Sequence, residues 1–119
     1  MKIIHISDIP KEPASHEDPN DPGVLKQVLL RRDDIPSGRI QMVNWATMPP
    51  GKSFQLHEHR SMEEIYIIFS GTAKIRIGGE EAVLQKGDAV VIPPKTVHAM
   101  TNNGGEPIEY IVIGVVADT

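Results

Sequence analysis

Three residues in one short stretch carry side chains that commonly bind metal ions: His57, His59 and Glu64. Residues two apart in a strand point to the same face, and each residue advances the chain by about 3.3 Å, so the two imidazoles can bind one cation. Glu58, which lies between them, points to the opposite face. A His-x-His pair is a weak pattern that a solvated strand also accommodates, so it needs support from other residues.

The carboxylate that could bind the same cation belongs to one of two adjacent residues, Glu63 and Glu64. A strand can direct only one of them inward. If Glu64 faces inward, Tyr66 and Ile68 follow it on the same face, whereas an inward Glu63 is followed by apolar residues alone. The face argument leaves both alternatives open.

The elements that must position these residues are short and β-rich. Runs of β-branched and apolar residues are separated by turn residues along most of the chain, which is typical of strands. We predict strands at residues 24–31, 39–48, 54–59, 65–69, 72–77, 81–84, 89–92, 97–101 and 108–116. Nothing longer than a turn or two has a helical pattern, so the sequence predicts an all-β sandwich or barrel.

Length and proline content predict how the chain is organised. The 119 residues suit one compact domain with one core. Residues 1–23 are expected to form an N-terminal strand and an irregular arm that is rich in proline, and residues 24–119 to form a single barrel domain.

Composition excludes several classes of function. Acidic residues outnumber basic ones by 16 to 12, so the sequence does not indicate a basic surface that would bind nucleic acid or an anionic membrane. The absence of cysteine excludes thiolate ligands and cysteine nucleophiles, so any metal must bind nitrogen and oxygen. The N-terminal residues are too interrupted for a secretory signal, and no apolar run approaches the length of a membrane span, so we expect a cytoplasmic protein.

The spacing around the histidine pair matches a known motif. From Gly51, five residues lead to His57, one to His59, four to Glu64 and six to Gly71. This spacing resembles the first conserved motif of the cupins.

A second motif follows after fifteen residues. Gly87 leads by five residues to Pro93, then to His98 and, after three more, to Asn102, which is similar to the second cupin motif. One keyed position differs, because Lys95 stands where the family usually has glycine. The chain is therefore identified by resemblance as a small, single-domain cupin of the bacterial type, with one conserved barrel.

The resemblance implies a double-stranded β-helix, or jelly roll, with four metal ligands that face its interior: His57, His59, Glu64 and His98. It also selects Glu64 over Glu63. Three imidazoles and one carboxylate suit one divalent transition metal, such as Fe, Mn, Ni, Zn, Co or Cu, rather than Ca or Mg. Four protein ligands leave two positions of an octahedral shell open for a substrate.

The substitution at Lys95 carries a conformational prediction. A Pro-Gly pair often forms a type II turn, in which the glycine has positive φ, whereas Pro94-Lys95 is easier in a type I turn. We therefore expect a negative φ at Lys95. Asn102 is expected to stabilise its turn rather than to contact a ligand.

Residues that share strand parity with the ligands are candidates for a substrate pocket: Gln55, Tyr66, Ile68 and Met100. Tyr66, or a water molecule at the metal, is the candidate for proton transfer. The resemblance admits a metal-dependent enzyme of dioxygenase or isomerase type that acts on a small polar metabolite. This enzyme is the leading hypothesis, and the alternative is a binding or sensing protein for a small, sugar-like ligand that has no catalytic activity.

Two strands are apolar at nearly every position, which indicates that both of their faces are covered. They are residues 64–69 and 109–116. The arm or the second sheet of the same chain could cover the outer face, and a second subunit is the alternative. We expect a homodimer, since cyclic dimers are the commonest oligomers.

Overall fold

The computed structural model describes residues 1–58 and 61–117, and for residues 55–57 it describes the backbone alone. These residues form ten strands: β1 (Glu12–Pro13), β2 (Leu25–Arg31), β3 (Ile40–Met48), β4 (Ser53–His57), β5 (Met62–Ser70), β6 (Ala73–Ile77), β7 (Glu80–Leu84), β8 (Ala89–Ile92), β9 (His98–Thr101) and β10 (Ile108–Val116). The helical segments within the described ranges are two 3₁₀ turns of three residues each, Ile6–Asp8 and Arg32–Asp34. The predicted all-β class is confirmed.

The strands form two antiparallel sheets, one of six strands in the order β1-β2-β3-β10-β5-β8 and one of four in the order β4-β9-β6-β7. Consecutive strands often lie in different sheets, as in a jelly roll. The core lies between the sheets: Met48, Ile68 and Tyr110 enter it from the larger sheet, and Ile75 and Met100 from the smaller one.

Strand register decides which of the two adjacent glutamates faces the core. Along β5, Glu64, Tyr66 and Ile68 are buried, whereas Glu63 is half-buried on the other face. Glu64 is 4% exposed, so the alternative with an inward Glu63 is excluded.

The strand boundaries agree with the predicted ones to within a few residues. The largest difference is at β5, which begins at Met62 rather than at residue 65. Glu63 and Glu64 break the apolar pattern near its start, but β10 pairs with this part of the strand as far as the Val116–Met62 partners. Long-range pairing extends the strand where local periodicity ends.

The N-terminal arm is more regular than its proline content suggests. The strand expected within residues 1–23 is the two-residue β1, which pairs with the start of β2. The backbone N–H of Ala14 donates to the carbonyl of Val24 at 3.0 Å. The Gln27 side chain donates to the carbonyl of Ile9 at 2.8 Å and to that of Ile6 at 3.2 Å. These contacts hold the arm against the six-stranded sheet.

The prediction of a negative φ at Lys95 is wrong. Lys95 has a φ of 62°, the value of a left-handed residue. The turn must deliver the chain from the end of β8 into β9, and it keeps the conformation that glycine would adopt without strain. Local preference for a type I turn is therefore overridden by the tertiary path of the chain.

Gly71 occupies a position that only glycine fits. Its φ is 83°, and a Cβ placed on it would lie 2.7 Å from the carbonyl oxygen of Pro107. Both the left-handed backbone and the close approach of the chain at Pro107, just before β10, exclude a side chain.

Candidate functional site

Two of the predicted ligands meet between the sheets. Glu64 enters from β5 of the larger sheet and His98 from β9 of the smaller one. His98 Nε2 lies 3.4 Å from Glu64 Oε1, and the side chains are 1% and 5% exposed respectively. The fold therefore brings together two metal-binding groups that are 34 residues apart in the chain.

The second nitrogen of His98 fixes the orientation of the ring. Nδ1 lies 2.9 Å from the carbonyl oxygen of Thr96. A carbonyl only accepts hydrogen bonds, so Nδ1 carries the proton and, in the neutral ring, Nε2 presents its lone pair to the interior. In the neutral form of the ring, His98 Nε2 and Glu64 Oε1 thus direct two electron-pair donors at the same place.

This donor pair fits a metal ion. A separation of 3.4 Å is within the range for neighbouring ligand atoms on one ion with bonds of about 2.1 Å. A hydrogen bond from the outer ring nitrogen to a backbone carbonyl is also the usual arrangement of a metal-binding histidine. Two of the four predicted ligands, Glu64 and His98, therefore have a geometry that fits a metal ion.

The other half lies largely outside the described residues. His59 is outside them, and His57 is described only by its backbone, which pairs with His98 across β4 and β9. In the described ranges no group of three or more His, Asp or Glu side chains could hold a metal. The register nevertheless places position 57 beside His98.

Aromatic rings surround the buried pair. Phe54 packs edge-on against both His98 and Tyr66, at ring distances of 5.8 and 6.3 Å. Tyr66 also lies 5.2 Å from the ring of Tyr110. These contacts restrict the imidazole and both phenols to one arrangement.

Burial keeps both phenols protonated. The pKa of Tyr66 is raised well above its usual value, first by burial and then by the negative charge of Glu64. The same two causes raise the pKa of Tyr110. At neutral pH each phenol is therefore a hydrogen-bond donor.

A cavity of about 380 Å³ opens from this site toward the N-terminal arm. Glu64, Tyr66 and Tyr110 form part of its wall, and residues 14–17 of the arm contribute to its opposite side. Its volume suits a small metabolite.

The predicted pocket residues divide into three groups. Tyr66 lines the cavity. Ile68 and Met100 are 0% and 1% exposed and lie in the core beside it, outside the described lining. The side chain of Gln55 lies outside the described residues.

Several lining residues were not predicted from the sequence. Lys26 and Arg31 on β2, and Gln41 and Asn44 on β3, also contribute to the wall. The side of the sheet on which these residues lie can be assigned only when the pairing of β2, β3 and β10 is known. The sequence of β2 does not alternate between apolar and polar residues, so it carries no signal for the inward face.

Asn102 acts on the structure of its turn, as expected. Its amide donates to the carbonyls of Met48 and Glu106 at 3.0 and 2.8 Å, and its side-chain oxygen accepts from the N–H of Gly104 at 3.0 Å. The residue is fully buried.

The jelly roll and a histidine–glutamate pair held between its two sheets together define a small cupin-type domain. The cupin domain family model, Cupin_2, matches residues 44–114. The chain belongs to this cupin family, which confirms the resemblance seen in the motifs.

Curated relatives include proteins of very different length. The chain is 37% identical over 81 residues to mannose-1-phosphate guanylyltransferase RfbM of Salmonella typhimurium, a match that covers 66% of this chain and 16% of that protein. It is 33% identical over 91 residues to an uncharacterised protein of Methanocaldococcus jannaschii, covering 76% of this chain and 71% of the relative. The chain thus spans about a sixth of the guanylyltransferase.

Solved structures share the fold along the whole chain. A predicted oxalate decarboxylase from Thermotoga maritima aligns with a TM-score of 0.86 at 23% identity, over 98% of this chain and 100% of the other. The polyketide cyclase RemF from Streptomyces resistomycificus aligns with a TM-score of 0.79 at 20% identity, over 97% and 79% of the two chains. At these identities the likeness establishes the fold.

Among the described residues, no helix is both long and apolar enough to cross a bilayer.

Proposed function

We propose that this cupin is a metal-dependent enzyme that acts on a small polar metabolite, by chemistry of dioxygenase or isomerase type. The observation that carries the proposal is the buried approach of His98 Nε2 to Glu64 Oε1 at 3.4 Å, at the edge of a cavity. His57 and His59 complete the proposed ligand set. A divalent transition metal bound there would supply Lewis-acid polarisation or activation of dioxygen.

The residues of this chain have separate roles in the proposal. Glu64 and His98 hold the ion, and the carbonyl of Thr96 orients His98. Tyr66 lines the cavity beside Glu64, so its phenol is the proposed group for proton transfer to a substrate. Phe54 packs against the rings of His98 and Tyr66 and excludes water from that side of the metal site.

The first experiment is elemental analysis of protein purified without chelators. About one transition-metal ion per chain is expected, and iron would favour the oxygenase while zinc or manganese would favour the isomerase. The iron-loaded protein is then tested for oxygen consumption with a panel of oxo and hydroxy acids, and the other forms for exchange of substrate protons with deuterated water. Binding of candidates without turnover in any assay contradicts the enzymatic role.

One observation favours a second function, the binding or sensing of a sugar-like ligand without catalysis. Curated relatives carry the name mannose-1-phosphate guanylyltransferase, and this chain matches a short part of each. A saturable heat of binding with mannose 1-phosphate, in the absence of any turnover, would support it.

We also propose that the outer face of the six-stranded sheet is covered by a second copy of this chain. Register places apolar residues of β3, β5 and β10 on that face, where Trp45 stacks on Phe69 at 5.0 Å. Phe69 is 41% exposed and Val91 on β8 is 54% exposed. The centre of this face carries no charge, so two copies meet there without repulsion and bury the same patch from both chains.

Light scattering after size-exclusion chromatography tests this interface. The native chain is expected to elute with the mass of a dimer, and Phe69→Lys with the mass of a monomer. Val83→Lys, at an exposed position of the smaller sheet, is the matched control and should remain dimeric. A native mass of one chain contradicts the proposed dimer. The cytoplasmic location expected from the sequence stays a prediction, to be tested by cell fractionation.

A further inference from the structure

Arg31 and Glu64 lie in one row across the inner face of the six-stranded sheet. Arg31 pairs with Met42, Met42 with Gly114, and Gly114 with Glu64. Three strand spacings separate the two ends of the row, so their Cα atoms are roughly 14 Å apart. Both side chains line the same cavity. The cavity therefore has a cation at one end and the proposed metal site at the other.

In the middle of this row, the sheet carries a glycine that is covered by apolar side chains. Gly114 has no side chain, and a Cβ built on it would lie 2.5 Å from Met62 Sδ and 3.0 Å from Met42 Cε. The two methionine side chains therefore occupy the space above the glycine. The next row of the cavity is Val28 on β2, Asn44 on β3 and Val112 on β10, so one amide lies between the two valines. A ligand that spans the cavity meets flexible apolar side chains along its centre.

Arg31 is the cation available to a ligand at the far end. Lys26 also lines the cavity, but its ammonium donates to Ser15 Oγ at 2.9 Å and lies 4.0 Å from a Glu12 oxygen. In the described part of the chain, no carboxylate forms an ion pair with the Arg31 guanidinium. Asp34 accepts a hydrogen bond from the Arg31 backbone N–H at 2.9 Å, and the pKa of its carboxyl is lowered first by Lys2 and then by this bond and the charge of Arg31.

The acidic residue of the arm is directed elsewhere. Glu17 lines the cavity, and its Oε1 accepts the backbone N–H of Gly23. This bond holds the carboxylate against the arm itself. The Glu17 charge still contributes, after burial and Glu64, to the raised pKa of Tyr110 in the cavity wall, and the Arg31 guanidinium is the cation at the far end.

We propose that Arg31 is a specificity-determining residue that binds the distal carboxylate of an organic acid whose other end lies at the metal centre, with a short aliphatic spacer between them. The planar guanidinium matches the two oxygens of a carboxylate. The part of the ligand at the metal rests on the proposed function, since it requires an ion held by Glu64 and His98.

The apolar centre of the cavity distinguishes this class from a sugar phosphate. A sugar would place several hydroxyl groups against the methionine and valine side chains, where Asn44 offers one amide, so most of these hydroxyl groups would lose hydrogen bonds to water without replacement. A chain of methylene groups gains from the same contact.

Isothermal titration of metal-loaded protein tests the proposal with matched probes. Succinate, glutarate and adipate vary the spacer, pentanoate keeps the length of glutarate but lacks the second carboxylate, and mannose 1-phosphate represents the sugar phosphates. We expect one diacid to bind at least about tenfold more tightly than pentanoate, because a hydrogen-bonded charge contributes a factor of this order or more. Arg31→Gln should remove this preference and leave the affinity for pentanoate within about twofold.

Arg32→Gln is the matched control, since it removes the same charge from the adjacent residue, whose guanidinium donates to the carbonyl of Ile35 in the 3₁₀ turn. It should keep the preference for the diacid. Four outcomes would each overturn the role of Arg31. Two concern the diacids: they bind no more tightly than pentanoate, or none of them binds at concentrations up to about 10 mM. The other two are an equal loss of the preference in both arginine variants and tighter binding of mannose 1-phosphate than of any diacid.

Metal content measured on the same samples separates this proposal from the proposed function. A chain that retains its metal but has no preference for diacids contradicts the role of Arg31 alone. A chain without metal that still prefers diacids through Arg31 contradicts the metal centre and supports the anion site.

Discussion

His98 Nε2 faces Glu64 Oε1 across 3.4 Å in the interior of the protein, and the two side chains come from opposite sheets. The carbonyl of Thr96 binds the outer nitrogen of the ring, so the inner nitrogen is directed to the carboxylate. Each residue is held by a strand that belongs to a different layer of the fold. An ion bound by both would therefore join the two sheets and stabilise the folded chain.

Glu64→Gln should remove the metal while keeping the shape of the side chain. The amide is a much weaker ligand than the carboxylate, so we expect metal content to fall by about tenfold or more. Chelation of the native protein should lower its melting temperature, since an ion at 100 times its Kd stabilises the fold by about 2.7 kcal/mol. Metal analysis and thermal melting with and without a chelator measure both effects.

Glu63→Gln is the control for this substitution. It makes the same change of charge one residue earlier, on the outer face of β5. It should leave metal content and the effect of the chelator unchanged. If both variants lose metal to the same extent, the carboxylate of Glu64 is not the ligand.

Asn102→Ala should destabilise the fold without emptying the metal site. The substitution removes three side-chain hydrogen bonds within a fully buried turn, and at about 1 kcal/mol each we expect a loss of about 3 kcal/mol in the free energy of unfolding. Urea unfolding measures it. Asn103→Ala, at the exposed neighbouring position, should change stability by less than about 0.5 kcal/mol. Equal effects of the two variants would contradict the structural role of Asn102.

Tyr110→Phe should reduce the loss of stability at alkaline pH. Burial and then the charge of Glu64 raise the pKa of Tyr110 well above 10.0, so above pH 10 the unfolded chain releases a proton that the native chain retains. Native stability therefore falls as pH rises through this range, by about 1.4 kcal/mol per pH unit for one such group. The variant should have a slope shallower by up to that amount in urea unfolding above pH 10, and nearly the same slope below it. Parallel slopes for the two proteins would show that the Tyr110 phenol ionises while folded.

The sequence predicted the fold because two signals agreed. Strand-length apolar runs separated by turn residues indicated an all-β chain, and the motif spacing around His57 and His98 indicated how those strands are connected. Periodicity could not choose between Glu63 and Glu64, since both alternatives fit a strand. The pairing of β5 with β10, a long-range contact, made that choice.

Most of the cavity wall could not be predicted, for a related reason. Arg31 and Asn44 reach the cavity because β2 and β3 pair beside β10, and local sequence does not specify that order. At Lys95, by contrast, the local preference for a type I turn predicts the wrong backbone conformation. The Lys95 φ of 62° is imposed by the path from β8 to β9, and the preference of lysine for negative φ is too small to alter it.

Lys95→Gly should therefore stabilise the protein. A residue with a Cβ costs about 1 kcal/mol in the left-handed region, and glycine does not have this cost, so we expect the free energy of unfolding to rise by up to about 1 kcal/mol. Lys95→Ala is the matched control, because it removes the ammonium but keeps the Cβ, and it should give no comparable gain. Chemical unfolding of the three proteins at one pH measures the difference. If the alanine variant gains as much as the glycine variant, the effect comes from the lysine charge, and the turn is not strained. A gain that is specific to glycine means that the chain retains the turn of its family at a small cost in stability, and that an exposed lysine occupies the position of the family glycine.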